Sequence, residues 1–252
     1  MNKILSIYKP YGFTPLQMIE KLRQQFPEYE KETIGYAGRL DPLAHGVLLL
    51  MIGDATKERD NYLSLPKHYE FTALFGIQTD TYDLLGIPVI QSQIRESKNL
   101  KETIDSFIKN HLGKHMQTYP PYSSKAVDGK PLFWWAKENK LDQIILPQRE
   151  IEIKSFEKLS SGEMTRHELN QKIDEALDQV TGDFRQEEIR KAWDKFFRDQ
   201  RAEPYFITAN FRIACSSGTY IRSLVNEMGA VAIDILRIQV GKYTMGNLLR
   251  LK

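Results

Sequence analysis

Apolar and polar residues alternate along this chain with both helical and strand periods. After a short apolar segment that ends at Pro10, helical spacing begins, with Thr14 as the predicted N-cap and Pro15 at the first helical position. Over residues 68–75 apolar and polar residues alternate, and Tyr69 takes an inward position. The first pattern predicts a strand, a turn and a helix, and the second predicts a half-buried strand.

Further helices and strands are expected in the rest of the chain. Residues 100–112 have the pattern of an amphipathic helix, and residues 148–159 and 205–214 have strand patterns. In the last of these strands, Ile207 and the alternate apolar residues after it are expected on one face. Because the strands are often joined by turns rather than by crossover helices, an α+β architecture is favoured over a doubly wound one.

An acidic segment with helical periodicity separates the last two strands. Residues 160–203 carry 11 acidic and 8 basic side chains, whereas the whole chain has a net charge of +2. Thr165 and Glu168 form a predicted capping box, and Asp183 with Gln186 is expected to open a second helix. We therefore predict an inserted helical hairpin, and its net negative charge favours a protein partner over RNA.

The composition is that of a soluble globular protein. Hydrophobic residues make up 41% and charged residues 27% of the chain, and its length allows one large domain or two modest ones. We expect a single domain over residues 1–252 that contains the helical insertion. The longest apolar run, residues 47–52, is too short to span a bilayer, and the N-terminus has no secretory pattern. The single cysteine, Cys215, excludes an intramolecular disulfide. These features predict a cytoplasmic protein that does not associate with a membrane. A monomer is expected.

The stretch YAGRLDPLAHGVLLL, residues 36–50, contains an aspartate that admits two interpretations. Asp41 before Pro42 is typical of a helix N-cap followed by a first-turn proline. Alternatively, Asp41 is a reactive carboxylate. Arg222 bears on this choice because it lies in the first turn of a predicted helix, where a cation is disfavoured. A buried carboxylate such as Asp41 would suit Arg222 as a partner, and a solvated surface arginine is the other possibility.

Neither a metal site nor an organic cofactor is predicted. The five histidines form no ligand pattern with carboxylates or Cys215, and the chain has neither a phosphate-binding loop nor a dinucleotide-binding glycine pattern. The segment TDTYDLLG, with Asp80 and Asp83, lacks the ligands of a calcium loop, so a turn with side-chain hydrogen bonds is expected. The aromatic segment that begins at Gln117 is expected to be an ordered loop that touches a ligand.

Several motifs, in order along the chain, resemble those of the TruB family of tRNA pseudouridine synthases. Lys9 begins a Lys-Pro-x-Gly-x-Thr motif, and Asp41 lies in Gly-x-x-Gly-x-Leu-Asp-Pro-x-Ala-x-Gly. Lys57 ends a Gly-x-Ala-Thr-Lys motif, and Lys67 with Tyr69 matches Lys-x-Tyr. The remaining matches are Asp83 in a threonine-aspartate motif, Pro120, Pro121 and Ser123 in a proline-rich loop, and Arg222 in a late Gly-Thr-Tyr-Ile-Arg motif.

The resemblance implies a fold, a reaction and three catalytic residues. The fold is the pseudouridine synthase fold, a mixed, mostly antiparallel sheet flanked by helices. Asp41 corresponds to the catalytic aspartate that attacks or assists at the target uridine, and the reaction needs no cofactor. Tyr69 corresponds to the tyrosine that stacks on the flipped base and takes part in deprotonation at C5. Arg222 corresponds to the arginine that pairs with the aspartate.

The resemblance also implies residues that bind RNA. Lys9, Lys57 and Lys67 are expected along the path of the RNA, where they would contact phosphates, and Asp83 is expected near the active site. Two positions beside Asp41 depart from the family pattern, Tyr36 in place of a histidine and Arg39 in place of a small residue or threonine. The histidine's part in wedging out the T-loop base is expected either to be done differently or to be done by stacking of Tyr36, and Arg39 is also assigned to RNA binding.

The implied substrate is a uridine in the T-loop of tRNA. The C-terminal PUA domain usual in the family is not expected here, and the helical insertion at 160–203 takes the place of an accessory element. Two alternatives stay open. One is an RNA chaperone or ribosome-assembly factor that keeps the synthase fold and recruits a protein through the insertion. The other is a synthase that acts on a different RNA.

Overall fold

The structure, a computed structural model, describes residues 2–90, 100–199 and 205–251. Its strands are β1 (Asn2–Lys9), β2 (Ile34–Ala37), β3 (Ala44–Gly53), β4 (Lys67–Phe75), β5 (Ile77–Thr79), β6 (Pro88–Ile90), β7 (Gly113–Thr118), β8 (Ala126–Val127), β9 (Lys130–Pro131), β10 (Gln148–Thr165), β11 (Tyr205–Cys215), β12 (Ala230–Val240) and β13 (Tyr243–Thr244). Its helices are α1 (Pro15–Gln25), α2 (Arg59–Leu63), α3 (Leu100–Asn110), α4 (Leu132–Lys137), α5 (Arg166–Gln179), α6 (Gln186–Asp199) and α7 (Ile221–Glu227). None of these described helices is long and apolar enough to cross a membrane.

One large sheet organises the described residues. It has nine strands, with the order β1-β3-β12-β4-β11-β10-β7, and β2 and β13 pair with β3 and β12 at its side. Neighbouring strands are antiparallel except β3 and β12, which run parallel from Ala44 and Ile235. This mixed, mostly antiparallel sheet with helices packed on it confirms the predicted α+β class.

The alternation of side chains along the central strands separates two apolar cores on opposite faces of the sheet. On β4, Ala73 faces a core covered by α3 and α7, whereas Leu74 faces a core covered by α5 and α6. Trp193 of α6 is fully buried in the second core. The two helices of the hairpin therefore cover this second core on one face of the sheet.

Capping side chains mark the beginnings of α1 and α5. The Thr14 hydroxyl accepts a hydrogen bond from the Gln17 N–H at 3.3 Å, and the Gln17 side chain accepts one from the Thr14 N–H at 2.7 Å. Thr165 and Glu168 make the same reciprocal pair, at 3.2 and 2.7 Å. These bonds satisfy amide groups that the first helical turn leaves unpaired. Both predicted helix starts are confirmed.

The helical insertion is shorter than predicted. Residues 160–165 continue β10 and pair with residues 205–210 of β11, so the predicted start of the insertion at residue 160 is wrong. The helices begin at Arg166, and residues 200–203 of the predicted insertion lie outside the described residues. Ile207 is 42% exposed, because the core on its face of β11 begins only at Ala209.

The apolar run after Asp41 forms a strand and not a helix. β3 begins at Ala44, two residues after Pro42, and its residues from Val47 to Ile52 are completely buried. Because β3 pairs with strands on both edges and packs on both faces, its sequence is apolar without alternation. The prediction that Asp41 caps a helix is therefore wrong.

Candidate active site

A cavity of about 800 Å³ lies where the parallel strands β3 and β12 meet β4 and α7. Its wall includes the predicted site residues Asp41, Tyr69, Asp83 and Arg222. The loop at residues 119–125 also lines it, as expected for the aromatic segment after Gln117. Residues far apart in the sequence therefore meet at one concave site, which is the usual shape of a ligand-binding site.

Asp41 lies in a turn before β3 that is held by the loop after β1. The Pro42 carbonyl accepts hydrogen bonds from the Gly12 N–H at 2.9 Å and from the Lys9 ammonium at 3.2 Å. The Ala44 N–H donates to the Asp41 carbonyl at 3.0 Å and closes the turn. The side chain of Asp41 is 31% exposed. Its carboxylate is therefore held by a bonded backbone and is still accessible from the cavity.

Arg222 lies beside Asp41, and each of its three guanidinium nitrogens donates to an acceptor. Nε donates to the Asp41 carboxylate at 2.8 Å, Nη1 to the Thr81 carbonyl at 2.5 Å and Nη2 to the Tyr122 carbonyl at 3.2 Å. Burial by itself would lower the pKa of Arg222, but the charges of Asp41 and Asp83 outweigh burial and raise it. A cation in the first turn of a helix needs an anionic partner, and for Arg222 that partner is Asp41.

Asp83 brings a second carboxylate to the same arginine. Its Oδ2 atom lies 3.7 Å from the Arg222 Nε, and its Oδ1 atom accepts hydrogen bonds from the Thr81 hydroxyl at 2.7 Å and the Leu85 N–H at 3.0 Å. Burial raises the pKa of the Asp83 carboxyl, against the opposing effects of Arg222 and Thr81. The segment forms the turn with side-chain hydrogen bonds that its sequence predicts, and these bonds help to hold Arg222.

Tyr69 lies next to a buried arginine that the sequence analysis does not single out. Arg237 of β12 is paired with Tyr69 of β4 in the sheet, and its guanidinium donates to the Val47 carbonyl at 2.7 Å and the Gly38 carbonyl at 3.0 Å. Burial raises the pKa of the Tyr69 phenol, whereas the charge of Arg237 lowers it. Because the net shift is upward, the phenol is protonated at neutral pH and presents an uncharged aromatic ring to the cavity.

Comparison of the sequence with known protein families identifies the family of this chain. Residues 27–176 match the family described as TruB family pseudouridylate synthase (N terminal domain). The chain belongs to the TruB family. The matched range carries Asp41, Tyr69 and Asp83, and Arg222 lies after it.

Curated relatives of this TruB-family chain are named tRNA pseudouridine synthase B. The protein from Lactobacillus johnsonii is 33% identical over 229 residues, which cover 91% of this chain and 63% of the relative. The proteins from Lactobacillus gasseri and Staphylococcus aureus are 31% and 28% identical over the whole of this chain, and the matches cover 73% and 70% of them. The chain thus spans about two thirds of the length of these relatives.

Solved structures support the fold of this TruB-family chain. An H/ACA RNP bound to a substrate RNA containing 2'-deoxyuridine matches 98% of this chain and 50% of the solved chain, with a TM-score of 0.53 and 16% identity. A Cbf5-Nop10-Gar1 complex matches with a TM-score of 0.52 and 17% identity, and covers 98% of this chain and 52% of the solved chain. At this level of identity the likeness concerns the fold.

Two of the lysines predicted to contact RNA in this TruB-family chain are buried. Lys9 is 0% exposed, and its ammonium donates to the carbonyls of Pro10 at 3.0 Å, Phe13 at 2.6 Å and Pro42 at 3.2 Å. Burial lowers the pKa of Lys9 to about 7, although Asp41 acts in the opposite direction. The structure contradicts a phosphate contact by Lys9, because three carbonyls already surround its ammonium.

Lys67 is likewise buried, in the wall of the cavity. Its ammonium donates to the carbonyls of Leu63 and Leu65, both at 2.6 Å. Burial and the nearby Arg237 lower the pKa of Lys67 to about 8. Lys67 lines the cavity, but its ammonium already donates to carbonyls at the end of α2 and just after it, so its predicted phosphate contact does not fit the structure either.

The other predicted RNA-binding residues lie closer to solvent. Lys57 is 80% exposed and pairs only with Asp54 among the described residues, and Arg39 is exposed at the cavity wall. Tyr36 lies outside the cavity wall, half-buried on β2 against the apolar cluster under α1. The structure therefore leaves Lys57 and Arg39 accessible to RNA. Tyr36 packs in part against the apolar cluster, and its stacking on a base stays a prediction.

Some cavity residues carry only a faint signal in the sequence. Arg237 is the single cation of β12, and Tyr220 stands two residues before Arg222 in a matched motif, so the sequence offered a signal for both residues. The hairpin residues Asp183 and Arg185 also line the cavity. No local pattern indicates their place, because only the packing of α5 and α6 on the sheet brings them there.

Proposed function

We propose that this chain isomerises uridine to pseudouridine in RNA, with the T-loop of tRNA as its substrate. Membership of the TruB family supports the reaction, and the names of the curated relatives support tRNA as the substrate. The observation that carries the proposal is the ion pair of Asp41 and Arg222 in a cavity whose wall includes Tyr69.

The reaction exchanges one bond of the nucleotide for another. The bond from C1' to N1 of the uracil breaks, a bond from C1' to C5 forms, the proton on C5 leaves, and N1 gains a proton. Atoms and electrons balance without an oxidant or a second substrate. Asp41 attacks or assists at the sugar or base, and the Arg222 guanidinium, whose Nε donates to the Asp41 carboxylate at 2.8 Å, holds this carboxylate in place.

The target base must leave the RNA stack to reach Asp41. The loss of stacking is offset when an aromatic ring of the protein contacts the flipped base. Tyr69 offers such a ring in the cavity wall, and Tyr119 and Tyr220 line the same cavity. Arg39 in the cavity wall and Lys57 on the surface are exposed cations suited to contact the RNA backbone. We assign the positioning of the base to the tyrosines and the contacts with phosphate to these cations.

The protein is further proposed to act in the cytoplasm as a monomer. Partner binding through the helical hairpin stays a prediction. The segment between the two hairpin helices lines the cavity with Asp183, Phe184 and Arg185, which favours a role of the hairpin in the active site itself.

The test is a pseudouridine assay with matched variants. Wild type, Asp41→Asn and Asp142→Asn are incubated with unmodified tRNA transcript, and pseudouridine is mapped by carbodiimide treatment and primer extension. Asp142 is an exposed aspartate outside the cavity wall. We expect product in the T-loop with wild type and Asp142→Asn, and a loss of about a hundredfold or more in rate with Asp41→Asn.

Other outcomes would change the proposal in defined ways. Product at a different uridine or only in another RNA would keep the reaction and replace the substrate. An Asp41→Asn variant as active as wild type would remove Asp41 from the mechanism. Absence of product from wild type on tRNA, ribosomal RNA and messenger RNA would refute the enzymatic function.

A further inference from the structure

The turn between α5 and α6, residues 180–185, reaches into the wall of the active-site cavity. We call this segment the hairpin turn. Asp183, Phe184 and Arg185 all line the cavity that holds Asp41. The hairpin turn lies after residue 176, where the match to the family model ends, and outside the motifs that resemble the family. A part of this chain outside those motifs therefore lies in the cavity wall.

The hairpin turn has a well-defined conformation of its own. The Gln186 side chain accepts a hydrogen bond from the Phe184 N–H at 3.0 Å and donates one to the Gly182 carbonyl at 2.8 Å. The Asp183 carboxylate pairs with Lys137 of α4 at 2.8 Å. These bonds hold the backbone of the turn and so orient its side chains.

Arg185 connects the hairpin turn to two loops of the cavity. Its Nη1 atom lies 2.9 Å from the Asp80 carboxylate, and its guanidinium carbon lies 4.5 Å from the centre of the Tyr122 ring. An arginine in these positions combines an ion pair with a cation–π contact. α6 adds another tie to the first loop, because the Trp193 indole donates to the Gly86 carbonyl at 3.1 Å.

These two loops are the ones that hold Arg222. Thr81, the residue after Asp80, accepts a hydrogen bond from the Arg222 Nη1, and Tyr122 accepts one from the Arg222 Nη2 through its own carbonyl. The third bond of the guanidinium goes to Asp41. Movement of either loop would therefore change where Arg222 lies relative to Asp41.

The backbone of Arg185 supports a specific use of its side chain. Its φ angle is +62°, in the left-handed region that glycine adopts at lower cost than other residues. An arginine at such a position implies that the side chain compensates for the unfavourable backbone.

We propose that Arg185 is a positioning residue for the reaction. It holds the loops that contain Asp80 and Tyr122, so that the carbonyls of Thr81 and Tyr122 orient Arg222 against Asp41. This inference rests on the proposed function for its kinetic consequence, but its structural consequence can be measured without activity. Arg185 acts through Arg222 and does not itself contact the reacting atoms.

The kinetic experiment compares Arg185→Met, Arg185→Lys and Asp80→Asn with wild type under single-turnover conditions, with tRNA transcript and excess enzyme. Arg185→Met and Asp80→Asn are each expected to lower the rate constant about ten- to a hundredfold, because small displacements of catalytic groups are costly. The dissociation constant for the transcript, from filter binding, is expected to stay within about threefold, as both variants leave the exposed cations in place.

Two further variants separate positioning from a general effect on folding. Arg185→Lys is expected to recover part of the rate, because an ammonium can pair with Asp80 but lacks the planar group that covers Tyr122. The double variant of Arg185→Met and Asp80→Asn is expected to lose little more than either single variant, because residues of one contact are not additive. Arg190→Gln is the matched control, since Arg190 pairs with Asp174 and Asp178 within the hairpin. It is expected to keep the wild-type rate.

The structural readout is hydrogen exchange at the Arg222 Nε–H, followed by NMR in the free protein and assigned by its loss in Arg222→Lys. Exchange is expected to be at least about tenfold faster in Arg185→Met than in wild type or Arg190→Gln, because the protecting bond to Asp41 opens more often.

The outcomes discriminate between the two proposals. Unchanged exchange in Arg185→Met overturns the positioning role, and so does a weaker affinity for RNA with an unchanged rate. If exchange is faster in Arg185→Met than in wild type but wild type makes no pseudouridine, the positioning role is upheld and the proposed function is refuted. If Arg185→Met does not fold, Asp80→Asn breaks the same ion pair from the other side and provides the comparison.

Discussion

The centre of the cavity and the helical hairpin both depend on charged side chains, but they hold them differently. At the centre, Arg222 is 4% exposed and bonds to two carbonyls and a carboxylate, and the ammonium of Lys9 is enclosed by three carbonyls. On the hairpin, Arg190 is 40% exposed and lies between the carboxylates of Asp174 and Asp178. Loss of a partner in the buried set leaves polar groups without water, whereas water replaces a lost partner on the hairpin.

The largest effect is expected when Arg222 is replaced. Arg222→Met leaves the carboxylates of Asp41 and Asp83 side by side without a cation, so we expect a stability loss of about 3–5 kcal/mol together with loss of activity. Urea unfolding followed by fluorescence measures the stability, and the single-turnover assay measures the activity. Arg222→Lys is the control, because it restores the charge without the three-way geometry. A Met variant as stable as wild type would show that the ion pair contributes nothing to the fold.

The second comparison concerns two lysines that the sequence analysis assigns to the same role. Lys9→Met is expected to lower stability by about 1–3 kcal/mol, because three buried carbonyls lose their donor. Lys57→Met is expected to leave unfolding unchanged and to weaken RNA binding, with a smaller dependence of affinity on salt. Weaker RNA binding by a folded Lys9→Met protein with normal stability would reverse this assignment.

The pH dependence of stability provides a further check on Lys9. Burial lowers the pKa of Lys9 to about 7 in the folded protein, against the ordinary lysine value of 10.5 that applies in the unfolded chain. Between these values the unfolded chain binds more protons than the folded one, so the contribution of Lys9 to stability rises with pH. The stability difference between wild type and Lys9→Met is therefore expected to widen from pH 7 to pH 9 in urea unfolding. A constant difference would mean that Lys9 keeps its proton when folded.

The smallest effect is expected on the hairpin surface. Arg190→Gln should cost less than about 1 kcal/mol, because the ion pairs with Asp174 and Asp178 are half-exposed and screened by salt. Urea unfolding at low and high salt measures this, and the difference between variant and wild type is expected to shrink as salt rises. A cost as large as that of Lys9→Met would remove the contrast between the two regions.

Much of the fold was predictable where local chemistry is strong. The reciprocal caps at Thr14 and Thr165 place two helix starts correctly, because a cap depends only on residues three positions apart. The alternation around Tyr69 predicts β4 for the same kind of reason. The strand after Asp41 was missed, because a run buried on both faces has no alternation to distinguish it from a helix.

The candidate site was predictable in part. The place of Arg222 in the first helical turn indicates a buried anionic partner, and the family motifs name Asp41 for that role. The burial of Lys9 and the place of Arg185 were not predictable. A lysine has the same sequence signal whether phosphate or three carbonyls surround it, and Arg185 comes from a segment without matched motifs.

By itself, the sequence determined the residue types that this chain brings to its chemistry, the starts of its capped helices and the apolar faces that its strands bury. Only the tertiary structure decided which of those residues meet. Asp41, Asp83 and Arg222 come from three separate segments, and Arg185 from a fourth, and the sheet joins them because both of its faces must be covered by helices. Local periodicity records which side of an element is apolar, but the contacts between loops depend on how the covered sheet closes around the cavity.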